Sequence, residues 1–262
     1  MRPSDRMLLI ELAEQVKAMN EGIREIRDQQ HATDKRLKAI EHGLERTRKV
    51  VRGHSRTAYA QIEDLLALYR ELDPGEALPR MRGWAAGPEL LRFLCDEVAT
   101  RERRQVVECG SGTTTVVLAY AMRARGVGAV TALEHDPHYA AETRWELAER
   151  NLEMWAEVVD APLTDVDIAG EPWRWYDLSG LDVNAVDLLL VDGPPGATGP
   201  QARYPALPLL AERLVGDATV VMDDANRSDE RAIVERWTNE FEGFTVQSLP
   251  HERGTAVLRR KA

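Results

Sequence analysis

The chain has 262 residues, more than one compact domain usually holds, so a catalytic domain with an appendage is the expected organisation. Its net charge of −10 is uneven: residues 1–60 hold 13 Lys+Arg against 9 Asp+Glu, leaving 21 against 35 for residues 61–262, and so acidic a remainder is a poor partner for nucleic acid phosphates. The two cysteines, Cys95 and Cys109, lie in apolar surroundings, which argues against a disulfide framework or a zinc site. No stretch reaches the length of a membrane-spanning helix and the amino terminus lacks the apolar core of a signal peptide, so a cytoplasmic location is expected.

Ser4 is a candidate helix cap, and from Leu9 a seven-residue repeat sets in. Its a and d positions are Leu9, Leu12, Val16, Met19, Ile23, Ile26, Gln30, Thr33, Leu37, Ile40, Leu44, Thr47 and Val51. A lone helix cannot bury so narrow a stripe, which predicts a coiled-coil arm over 1–55 that makes the protein a homo-oligomer; the alternative is a helix folded back on its own domain. Gln30 and Thr33 are polar positions that can specify register and strand number. Arg46, Arg48, Lys49, Arg52 and Arg56 make a basic cluster over 46–56, either a solvated helix face or a peripheral contact for anionic lipid or an acidic polymer.

Gly53 is expected to interrupt the arm, and 57–72 to form a further helix with Ile62, Leu65, Leu66 and Tyr69 on one face. Asp73-Pro74-Gly75 stops it. A loop carrying Trp84, expected to be a packing residue, leads to a helix from Pro88 through Val98. Residues 56–100 thus read as a helical linker and cap before a domain over 101–262.

Gln105–Val117 is the stretch on which a functional reading turns. A short apolar run ends in Glu108, a turn follows at Gly110, Ser111 and Gly112, and Thr113 opens an apolar run that suits a helix. Glycines there bring the backbone close to a ligand, and the helix amino terminus favours electron-rich atoms. A dinucleotide fingerprint wants a small residue where Thr115 stands. The Glu-x-Gly-x-Gly form instead resembles the first motif of class I S-adenosylmethionine-dependent methyltransferases, and the likeness extends over about residues 88–262. In that family the glycine turn passes the amino-acid part of the cofactor and an acid at the end of the next strand binds the ribose. The resemblance implies cofactor contacts by Glu108, Gly110, Ser111, Gly112 and Thr113, and by Glu134 and His135 at the end of the strand over 129–133.

Strands and helices alternate from Arg104 onward, the pattern of an α/β parallel sheet. Asp136-Pro137 caps a helix running to about Leu152, and the third strand, Glu157–Val159, ends in Asp160 and Ala161, which the resemblance places beside the adenine ring and which otherwise read as turn residues. The buried fourth strand, Val186–Val191, ends at Asp192, beyond which a Pro/Gly loop up to Arg203-Tyr204-Pro205 forms a pocket wall. Position at a strand's carboxyl end, beside the cofactor seat, makes Asp192 a site residue. The fifth, Thr219–Met222, ends at Asp223 and Asp224, and Ser228 caps the next helix. Two closing strands, 244–249 and 255–259, complete what the resemblance implies: a Rossmann-like, doubly wound, seven-stranded methyltransferase sheet carrying an amino-terminal α-helical coiled-coil arm.

Asp192, Asp223 and Asp224 converge, and like charges that close call for a cation or a proton. An all-oxygen set suits Mg²⁺, Mn²⁺ or Ca²⁺, and the pattern resembles metal-dependent O-methyltransferases of the catechol and macrolide-sugar types, in which the ion binds the acceptor hydroxyls. Without metal, Asp192 is the candidate general base; His251 is either a second base or a solvent-exposed turn residue. Arg203 and Arg227 are candidates to hold an anionic group of the acceptor, or surface residues. The expected activity is S-adenosylmethionine-dependent O-methylation of a hydroxyl on a sugar, glycan or glycosylated small molecule. The alternatives are an inactive methyltransferase-fold scaffold and an NAD(P)-dependent oxidoreductase.

Overall fold

The computed structural model describes residues 3–81 and 83–260, with the backbone alone at 3–6 and 54–56. The side chains of Ser4, the expected cap, and of Arg56, at the end of the basic cluster, fall outside what is described. The chain divides into two units, Met1–Ala58 and Tyr59–Ala262. Among the described residues no helix is long and apolar enough to cross a membrane.

The described residues of the first unit are all helical, within α1 (Pro3–Leu72). The break expected at Gly53 does not occur: one glycine costs about 1 kcal/mol in a helix interior, too little to end a helix this long. The apolar a and d side chains are all exposed, from 46 % at Val16 and Ile23 to 61 % at Met19. The hydroxyls of Thr33 and Thr47 donate to the main-chain oxygens of Gln29 and Gly43, so both satisfy their polar groups within the helix.

In the second unit the end of α1 buries Gln61, Leu68 and Leu72; of the face read from the sequence Leu65 is half-buried, while Ile62, Leu66 and Tyr69 are exposed. The elements that follow are α2 (Pro88–Thr100), β1 (Gln105–Cys109), α3 (Thr113–Arg125), β2 (Ala129–Glu134), α4 (Pro137–Glu149), β3 (Ala156–Asp160), β4 (Leu163–Ile168), β5 (Glu171–Tyr176), β6 (Val186–Val191), α5 (Ala206–Leu210), β7 (Leu214–Met222), α6 (Ser228–Glu240), β8 (Phe244–Leu249) and β9 (Thr255–Arg260). Seven strands form one sheet in the order β3-β2-β1-β6-β7-β9-β8. The first five are parallel, and β9 joins β7 antiparallel with β8 outside it, the arrangement implied by the resemblance.

Strand alternation divides the core. Val106, Leu188 and Leu190 face one layer with α2, α3 and α4, while Val107, Cys109, Leu189 and Val191 face the other with α5 and α6. β4 and β5 form a separate antiparallel hairpin that the sequence reading missed, although its signal is present. Two alternating runs are separated by Ala169-Gly170, both at positive φ, the pattern of a two-residue hairpin turn. Strand order reverses between β1 and β6, and ligands of open parallel sheets bind outside the carboxyl ends at such a point.

Candidate active site

Glu108 follows Val106 by two residues, so its side chain enters the same layer and meets α3. The Thr115 hydroxyl donates to Glu108 Oε2 at 2.7 Å and accepts the Gly112 N–H at 3.0 Å. Glu108 is buried, and burial raises its pKa well above the ordinary carboxylate value. It shapes the glycine turn from beneath and does not line the cleft. Thr115 is buried too, so the residue in the third-glycine position of a dinucleotide site is here part of the turn's support.

Glu134 ends β2 with its carboxylate fixed on both sides. Oε1 accepts the main-chain N–H groups of His135 (2.9 Å) and Asp136 (3.0 Å), and Oε2 accepts the Ser111 hydroxyl at 2.9 Å. The His135 ring nitrogen Nδ1 lies 3.0 Å from the same Oε1. Asp136 caps α4 through the His138 N–H at 2.8 Å, as expected. Gly110, at φ 108, is tied to β2 through its N–H and the Leu133 oxygen at 2.9 Å. A carboxylate oriented this way, beside an open glycine turn, fits the diol of a ribose with its remaining lone pairs.

One cleft is lined by Gly110, Ser111, Glu134, His135, Asp192 and Arg203, with Trp84, Tyr139 and Tyr176 around them, and it reaches Asp224, Arg227 and Arg253. A second depression, sharing Trp84, Ser111, Tyr139 and Asp192, runs along the start of α3 past Gly112 and Thr113. Trp84, expected to pack, is instead 81 % exposed, because its loop presents the ring to both. Tyr176 comes from the unrecognised hairpin and sets its ring edge against His135, 6.0 Å between centroids. Asp160 points to Arg144 at 2.8 Å and Ala161 is buried in the core; neither lines the cleft.

The three aspartates do meet. Asp192 continues β6 through its N–H to the Cys109 oxygen, Asp223 continues β7 through its N–H to the Val191 oxygen, and carboxylate oxygens of Asp192, Asp223 and Asp224 lie within 4.8 Å of one another. Arg203, 4 % exposed, enters this cluster. Its Nη2 donates to Asp192 Oδ1 at 3.3 Å and Asp224 Oδ2 at 3.2 Å, and its Nη1 to the Asp223 main-chain oxygen at 3.1 Å. Arg227 Nη1 reaches Asp224 Oδ2 at 3.0 Å. Burial, then Asp223, push the Asp192 carboxyl up to about 8 against the pull of Arg203. Burial and Asp224 raise Asp223 to about 6.

The acid set alone suits a hard divalent ion, but with Arg203 in place the residues do not fit one. One carboxylate oxygen each of Asp192 and Asp224 already accepts from a guanidinium that cannot lose its charge. Nor does the cleft include His251: its Nδ1 pairs with the Thr255 hydroxyl at 2.9 Å, its ring lies against Phe93, and it lines a small cavity on the other side of Asp223 with Gln61 and Glu89. Burial lowers its pKa, with Glu89 opposing. Ser228 opens α6 as its first residue, Arg227 taking the cap position without a side-chain cap bond.

Residues 107–225 match a family model described as a methyltransferase domain. Solved structures similar in fold include the SAH-bound methyltransferase PaMTH1 of Podospora anserina, at 14% identity over 68% of this chain and 81% of that chain, with a TM-score of 0.53. The cofactor-bound Rv0187 from MTB gives 21% identity over 76% and 90% at 0.51, and the precorrin-6y C5,15-methyltransferase of Geobacter metallireducens GS-15 gives 15% over 71% and 94% at 0.50. No curated protein sequence matches the chain significantly.

Proposed function

We propose that this chain, which carries the methyltransferase domain of the class I S-adenosylmethionine-dependent family, methylates a hydroxyl oxygen of a sugar-containing small molecule or glycan. The observation that carries the reading is the sharing of one cleft by Glu134 and Asp192, with Ser111 between β1 and α3. When bound, S-adenosylmethionine supplies an electrophilic methyl group on a sulfonium sulfur. Glu134 and Ser111 receive the ribose side, and Gly110 keeps the approach to Asp192 open. Asp192 would accept the acceptor's hydroxyl proton while the acceptor oxygen takes the methyl group from the sulfonium sulfur, which would leave S-adenosylhomocysteine as the product. A carboxyl raised by burial is suited to this role, because a base near working pH removes the proton effectively. Trp84 and Tyr139 offer exposed rings at the rim on which the apolar face of a sugar ring can stack.

The support for a sugar acceptor is this aromatic rim, and the test is a transfer assay with a panel of glycosides and simple alcohols, catechols and amines. Methylated glycoside, lost in Trp84→Ala with little change in cofactor affinity, is the expected result. Transfer confined to catechols or amines would refute the acceptor class while leaving the methyltransferase assignment intact.

We further read the arm as the homo-oligomerisation element. Thirteen a and d positions hold ten apolar residues, and these are exposed in the single chain. Tyr59, Ile62, Leu66 and Tyr69 add a further exposed row at three- and four-residue spacing on α1. A second copy supplies the matching stripe.

A further inference from the structure

The acid cluster carries Asp192, Asp223 and Asp224, with Glu230 close by on α6, its Oε1 3.8 Å from Arg203 Nε. Against these stand three guanidinium groups. Arg203 is buried and holds Asp192, Asp224 and the Asp223 main chain together; Arg227 pairs with Asp224; Arg253 Nη1 lies 3.9 Å from Asp224 Oδ1. Asp224 is thus approached by three cations. Arg253 is positioned by the loop between β8 and β9, which hooks onto the turn after β7 through Ala225 N–H to the Gly254 oxygen and Asn226 N–H to the Arg253 oxygen.

A divalent cation of the magnesium kind needs carboxylate oxygens at about 2.0–2.1 Å, and it dehydrates only for near-ideal geometry. Asp192 Oδ1 and Asp224 Oδ2 already accept from Arg203 Nη2. An ion using them would sit beside a fixed positive charge in a mostly buried site, where like charges repel strongly. Arg203 cannot escape by deprotonation, and it is 4 % exposed.

We infer that Arg203 is the resident cation of this site: its guanidinium takes the place of a divalent ion among Asp192, Asp223 and Asp224, and the folded chain binds no Mg²⁺ or Mn²⁺ there. Arg203 is accordingly a positioning residue that acts through Asp192, fixing Oδ1. The inference concerns ion binding and holds whichever acceptor is methylated. It also specifies what removal of the guanidinium does: three converging carboxylates, then ion-paired only at Asp224, with Arg227 and Arg253, become a divalent-cation site.

The test is Mn²⁺ binding followed by electron paramagnetic resonance on the full chain, with S-adenosylhomocysteine binding and a thermal melt on the same samples. The wild type is expected to leave the free Mn²⁺ signal undiminished, and Arg203→Met to take up one equivalent that disappears again when Asp224→Asn is added. Wild-type chain that binds Mn²⁺ stoichiometrically and loses it in Asp224→Asn would overturn the inference. So would a folded Arg203→Met chain that takes up no ion. If Arg203→Met does not fold, the wild-type measurement decides on its own, and Arg203→Lys, which keeps a cation in place, is expected to stay free of Mn²⁺. Failure of S-adenosylhomocysteine to bind a folded, Mn²⁺-silent wild type would count against the cofactor seat and not against Arg203.

Discussion

Glu134 accepts three hydrogen bonds from Ser111, His135 and Asp136, so its carboxylate is oriented before any ligand arrives. Glu134→Ala is expected to abolish detectable S-adenosylhomocysteine binding by calorimetry while leaving the melt nearly unchanged. Asp192 makes a sharper prediction because its two protonation states have opposite effects. Its folded pKa, about 8, lies above the unfolded value of about 3.9, so its contribution to stability is full below about pH 4 and lost as pH rises through about 8. Its basic form, which the reaction needs, grows over the same rise. From about pH 6 to about pH 9 the rate should climb while Tm falls, and Asp192→Asn should flatten both slopes and lower kcat by about 10²–10⁴-fold. A pH–rate profile and melts of both chains check this. Glu134, Ser111 and the aspartates were legible in the sequence because each follows an apolar run that had to be a strand. Arg203 was legible only as a candidate for an anionic group of the acceptor or as a surface residue, since its burial in the acid cluster depends on where its Pro/Gly loop packs. Tyr176 and Arg253 reach the cleft from elements distant in sequence.

Elements on the carboxyl side of the sheet are held by close approaches that tolerate little change. Gly193 follows Asp192, and a methyl group there would run into the Tyr176 hydroxyl and the Cys109 main chain, at 3.2 Å from the latter's oxygen. Gly193→Ala must therefore displace either the hairpin's Tyr176 or the end of β1. The expected outcome is a lower Tm together with weakened cofactor binding, measured by melt and calorimetry. In the same core layer as Tyr176 and Cys109, Trp237 is fully buried in α6 and donates from Nε1 to the Tyr204 oxygen at 2.9 Å. Trp237→Ala should cost about 3–5 kcal/mol by denaturant titration, the range for deleting a large buried aromatic. The parallel strands were readable because burial on both faces makes them continuous apolar runs. The β4–β5 hairpin escaped because its strands face solvent on one side and read as charged, although Ala169-Gly170 marked the turn. The buried face of the last part of α1 was misread for a related reason: Ile62 and Leu66 are apolar yet exposed, and periodicity alone does not say which of two apolar faces packs inward.

At the scale of the molecule the first unit is a helix whose apolar stripe has, among the described residues, no covering layer within its own unit, and the second carries a seven-stranded sheet similar in fold to solved methyltransferases. Sedimentation of the wild type is expected to show an oligomer, and Ile23→Asp with Ile26→Asp, which place charge in the seam, a monomer with unchanged cofactor affinity. A wild-type monomer would assign the stripe to another surface. The account as a whole depends on Glu134 and the glycine turn being the cofactor seat, and isothermal titration of S-adenosylhomocysteine into wild type and Glu134→Ala, each with and without a chelator, tests that most directly. Micromolar binding by wild type, unaffected by chelator and absent in Glu134→Ala, is the predicted result. A folded wild-type chain that binds no S-adenosylhomocysteine, or a Glu134→Ala chain that binds it as well as wild type does, would contradict it.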